Sequence, residues 1–77
     1  MLRIKNQKSE IERALKYVES ELGRFKLSRR EVVTTMLMAE ESIVVLMEHA
    51  PKDSEIEIRF RKLLGSISLN ISAPGEA

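Results

Sequence analysis

Apolar residues recur along the first third of the chain at Ile4, Ile11, Leu15, Val18, Leu22 and Phe25, in steps of seven, four, three, four and three. That spacing places them on one stripe of an α-helix, with charged residues on the opposite side. Ser9 and Glu12 form an S-x-x-E pattern, in which hydroxyl and carboxylate satisfy backbone donors at a helix start, and Gly23 suits a helix end. The spacing predicts a first helix over about residues 9 to 22, with an earlier start left open. Ser28 and Glu31 repeat the pattern ahead of a longer run that ends at Ala50, because Pro51 cannot continue a helix. This second helix, over about residues 29 to 50, is apolar around much of its circumference through residues such as Val32, Val33, Met36, Leu37, Ile43, Val44 and Met47. A helix so widely apolar is expected to lie centrally, with neighbours on more than one side.

The period then changes to two. Ile56, Ile58 and Phe60 alternate with Glu55, Glu57, Arg59 and Arg61. After a link from Lys62 to Gly65, the alternation resumes as Ile67, Leu69, Ile71 and Ala73 against Ser66, Ser68, Asn70 and Ser72, until Pro74 and Gly75. Two half-buried strands in an antiparallel hairpin follow, apolar face on the helices and polar face to solvent. The expected fold is α+β, two helices packed on a hairpin in the order α-α-β-β, with residues 1–77 as a single unit. A hairpin alone leaves two unpaired edges, and the one along Ile67 to Ala73 is apolar enough to invite another strand. Self-association there, or a missing remainder of a larger domain, is the expectation.

Composition narrows the choices. Thirteen Lys plus Arg against twelve Asp plus Glu leave a net charge of +1, so no bulk field draws the chain to nucleic acid or acidic membranes. Arg59, Arg61 and Lys62 form a basic cluster, but Glu55 and Glu57 share its face and no aromatic lies beside it for base stacking. Zero cysteines and one histidine exclude a disulfide framework, a thiolate zinc site and a multi-histidine metal centre. The run Val32 to Met47 is broken by Thr34, Thr35, Glu40, Glu41 and Ser42, well short of the roughly 20 apolar residues of a membrane span. The opening MLRIKNQKSE lacks the apolar core of a signal peptide. A cytoplasmic address is expected, as a separate chain or as the cytosolic domain of a larger protein.

The second helix carries Glu41, Val45 and His49 within AEESIVVLMEHA, and the chain closes with ISLNISAPGEA. With the preceding helix IERALKYVESELGRF, this order resembles the N-terminal half of the histidine-kinase-type ATPase domain, most closely its anti-sigma-factor serine kinase branch. That family carries E-x-x-x-N-x-x-x-H-A on its long helix, and a hairpin that leads to D-x-G-x-G. The resemblance implies that Glu41 sits at the catalytic carboxylate position, that Gly75 is the first glycine of the nucleotide-binding turn, and that ATP and Mg²⁺ serve the full family domain. At the family's metal-binding asparagine stands Val45, a hydrocarbon without an oxygen for Mg²⁺, and at its adenine-reading aspartate stands Ala73. No metal ligand set and no cofactor are therefore expected of this chain alone, nor is Mg-ATP turnover.

The expected function is a degenerate or truncated ATPase-like module that acts through protein contacts or self-association. The alternative is a fragment of a working ATP-binding protein, an anti-sigma-type kinase or an ATPase domain appended to a sensor or transporter. On plain physical grounds Glu41, beside Glu40, also reads as a solvated charge, and His49 as a group that caps the helix C-terminus. Met36, Met38 and Met47 read as core filler at helical spacing.

Overall fold

A computed structural model describes residues 1–63 and 66–73. Among these residues the elements are strand β1 (Leu2–Lys5), a 3₁₀ turn (Lys8–Glu10), helix α1 (Ile11–Leu22), helix α2 (Arg29–His49), strand β2 (Glu55–Leu63) and strand β3 (Ser66–Ser72). The strands form an antiparallel sheet in the order β1-β2-β3. Two helices pack on one face of it, so the α+β architecture holds, with one strand more than the hydropathy pattern reveals.

That strand corrects the reading of the N-terminus. Ile4 is not the first member of the helix-one stripe. It lies in β1 opposite Ile56, with Leu2 opposite Ile58, and turns into the core from the sheet. A strand of four residues is too short to display its own period, and Ile4 happens to stand seven residues before Ile11. β2 is consequently the central strand, and the open edges belong to β1 and β3. The Ser9–Glu12 capping box does not form either. Ser9 lies inside the 3₁₀ turn, and α1 starts after Glu10, which makes no side-chain cap. The expected link over residues 62–65 is shorter, because β2 runs on to Leu63 and β3 starts at Ser66.

Ile4, Ala14, Val18, Leu22, Ala39, Ile43, Ile56 and Ile58 form the buried core, with contributions from β1, both helices and β2. Each fully buried aliphatic side chain contributes about 1.5–3 kcal/mol by leaving water. Tyr17 and Phe60 meet at a centroid distance of 6.1 Å beside this core. Burial of the Tyr17 hydroxyl, then the negative charge of Glu21 one turn on, raises its pKa above 10.0. The hydroxyl nevertheless makes no hydrogen bond of good geometry among the described residues.

Both ends of α2 are held by side chains. At its start the expected Ser28–Glu31 box is present: Glu31 N–H donates to Ser28 Oγ at 3.1 Å, and Ser28 N–H donates to Glu31 Oε1 at 2.9 Å. Ser28→Ala is expected to cost about 1 kcal/mol of stability, read by urea unfolding. The donors of Ser28, its backbone N–H foremost, hold the Glu31 carboxyl below its ordinary value of 4.5. A depressed folded-state pKa means that this contribution is complete above pH 4.5 and fades as the pH falls through the folded value. Glu31→Gln should flatten the loss of stability with acidification below that point.

At the other end Asn6, just beyond β1, donates from Nδ2 to the carbonyls of Met47, Ala50 and Pro51 at 2.9–3.0 Å. The Met47 and Ala50 carbonyls lie at the helix terminus, which leaves them without intrahelical partners, and the Pro51 carbonyl just beyond also accepts from Ser54. His49, from the last turn, also bonds through Nδ1 to the Val45 carbonyl at 2.8 Å, one turn back within α2 and short of the open carbonyls that a capping role would reach. Asn6→Ala should cost roughly 1–3 kcal/mol. Asn6→Asp should cost more, because a carboxylate there would face three carbonyl oxygens and the negative end of the helix; thermal unfolding of the two variants checks the order.

Candidate functional site

α1 packs nearest β1 and α2 nearest β3, so the flank of α2 that overhangs β3 has no further element beyond it among the described residues. Two adjoining hollows run along this junction. One, of about 670 Å³, is lined by Met38, Glu41, Ser42, Val45, Leu46, His49 and Ile71. The other, of about 440 Å³, is lined by Thr35, Met38, Ala39, Ser42, Leu69, Asn70 and Ile71. The 3.6-residue helical repeat brings Glu41, Val45 and His49 to one groove. Ala73 follows the end of β3, and Gly75 lies outside the described residues.

The chemistry within reach of this groove is sparse. The Val45 carbonyl accepts from His49 Nδ1 at 2.8 Å, which turns that nitrogen back onto the helix. Glu41 and His49 are eight residues apart, a rise of about 12 Å along the helix, whereas proton transfer needs contact at about 2.6–3.2 Å. They do not form an acid–base pair. No group of three or more metal-ligating side chains occurs among the described residues. A Mg²⁺-nucleotide does not suit this donor set. The lining offers a single exposed carboxylate, a hydroxyl and an imidazole, and a hydrocarbon stands midway between Glu41 and His49.

Two other surfaces are already committed to internal contacts. A hollow of about 690 Å³ near Asn6, Gln7, Lys52 and Asp53 spends its amides on the fold, since Asn6 caps α2 and Gln7 Nε2 donates to Asp53 Oδ1 at 2.7 Å. On the outer sheet face Arg3 and Arg59 both bind Glu57, which removes Arg59 from the basic cluster as a free cation. No helix among the described residues is long and apolar enough to cross a membrane.

The chain matches no protein-family model, no curated protein and no solved structure. Met38 is 64% exposed and Val45 50% exposed, so Met38 is not the core filler that its spacing suggests. A feature missed in the sequence is the series Thr35, Met38, Ser42, Val45, His49, spaced three, four, three, four along α2. Alternating threes and fours keep these residues on one stripe of the helix, but the wide apolar circumference of α2 hides which stripe remains open.

Proposed function

We propose that this chain is a degenerate histidine-kinase-like ATPase module that works through protein contacts made by the β3 edge and the adjoining flank of α2. The observation that carries the reading is one groove in which exposed apolar groups, Met38 and Val45, border a strand at the sheet edge, while the donor set lacks what phosphoryl transfer requires. A strand edge offers main-chain hydrogen bonds to a partner, and neighbouring apolar side chains supply the area to bury. The module is read as cytoplasmic, without nucleic-acid or membrane chemistry of its own.

An amide NMR spectrum titrated with ATP, with and without Mg²⁺, tests this reading. Spectra unchanged at Glu41, Val45 and Ala73 are expected. Saturable Mg²⁺-dependent shifts at those three positions would replace it with the alternative, a fragment of a working ATP-binding protein.

A further inference from the structure

We propose that the partner of this face is a second copy of the chain, bound about a two-fold axis that passes between Asn70 of β3 and its copy and close to Ser42 of α2. This rests on the reading of the β3–α2 face as a protein-docking surface and names its occupant.

Self-complementarity of the strand comes first. Antiparallel pairing of β3 with its copy, centred on Asn70, sets Leu69 opposite the partner's Ile71, Ser68 opposite the partner's Ser72, and Asn70 opposite itself. Apolar side chains then face apolar ones on the helix side, and uncharged polar ones face each other on the outer side. No charge is brought against its like, the arrangement that cross-strand pairing disfavours. The opposite edge behaves differently. β1 is four residues long and carries Arg3 and Lys5 on its outer face, so self-pairing there sets cation against cation. Short, charged edges are protected from pairing, and β3 has neither protection.

The helix supplies an independent second argument. Asn70, Met38 and Ser42 line the same hollow, so the C-terminal half of β3 and the Thr35–His49 stripe of α2 adjoin each other. A single two-fold axis beside Asn70 therefore brings both elements against their copies. In an antiparallel α2 pair centred on Ser42, Met38 meets the partner's Val45, and Thr35 meets the partner's His49. The small Ser42 at the crossing point lets the two helices approach. A net charge of only +1 per chain adds little repulsion. An isologous interface requires this property: the same patch must fit itself after a two-fold rotation.

Sedimentation velocity on the full chain over a concentration series, with two substitutions, tests the arrangement. A species of twice the 8.8 kDa chain mass is expected. Asn70→Asp places a carboxylate next to Arg59, its register neighbour on β2, and so suits the single chain. In the dimer it opposes its own copy, and the dissociation constant should rise at least tenfold while the circular-dichroism spectrum stays unchanged. Because the chain has no cysteine, Asn70→Cys gives a clean geometric readout. Directly paired positions have Cα atoms about 4.5–5.5 Å apart, within disulfide reach. Asn70→Cys should oxidise to a covalent dimer, whereas Ser68→Cys, roughly 13 Å from its own copy in this register, should not. A chain that stays at 8.8 kDa at millimolar concentration overturns the proposal, as does faster crosslinking at position 68 than at 70. Neither result bears on the ATP titration, which tests the docking-module reading separately.

Discussion

Ile58→Ala is expected to remove about 2–5 kcal/mol of folding free energy, the range for truncating a fully buried aliphatic side chain. Ile58 is fully buried on the central strand, facing Leu2 on β1 and Ile71 on β3, so the cavity opens where all three strands meet the helices. Strands paired on both sides cannot shift inward readily, which places the cost in the upper part of the range. A domain of this length has a total stability of roughly 4–12 kcal/mol, so the loss is a large fraction of the whole and should move the urea midpoint far to lower concentration. Val33→Ala, on the half-exposed side of α2, should change stability by about 0.5 kcal/mol or less. Urea titrations followed by circular dichroism separate the two. A small effect at Ile58 would mean that the core is not organised around β2.

The difference between those sites was only partly legible in the chain. α2 could be read to within a residue, because Ser28, Glu31 and Pro51 mark its ends locally. The inward set Ile56, Ile58 and Phe60 and the outward Glu and Arg residues could also be read, since alternation is a local signal. β1 could not. Its partner lies 50 or more residues away, and four residues give alternation no room to stand out against a helical stripe that Ile4 fits by chance. Asn6 was silent for the same reason, because the carbonyls it caps are more than 40 residues distant. For the candidate site, Glu41, Val45 and His49 could be placed on one face by helical spacing alone. That Met38 and Val45 stay open depends on which side of α2 the sheet covers, a tertiary fact that no local pattern records. The resemblance to the ATPase family rests on the same local spacings.

The second large effect is expected at Glu57, and it should depend strongly on which partner is removed. Glu57 is 5% exposed although it points to the outer face of the sheet, because Arg3 from β1 and Arg59 from its own strand close over it. Arg3 Nε donates to Oε2 at 2.9 Å and Arg59 Nη2 donates to Oε1 at 2.8 Å. The burial is one-sided, since the Arg3 and Arg59 side chains remain 54% and 51% exposed. Removing the carboxylate, as in Glu57→Gln, leaves two cations that water can hydrate, and the cost should stay near 1–2 kcal/mol. Removing both cations, as in Arg3→Met with Arg59→Met, leaves a buried carboxylate without a counter-charge, at a cost of about 3–5 kcal/mol. Either arginine substitution alone should cost about 1 kcal/mol or less, because the remaining guanidinium still neutralises Glu57 and the pair is partly screened by solvent. The double variant should therefore lose more than its two singles together, and adding Glu57→Gln to it should recover part of the loss. A double-mutant cycle in urea measures this directly. Strict additivity would show that the two arginines act as separate surface ion pairs and that the centre of the outer sheet face does not depend on a shared buried charge.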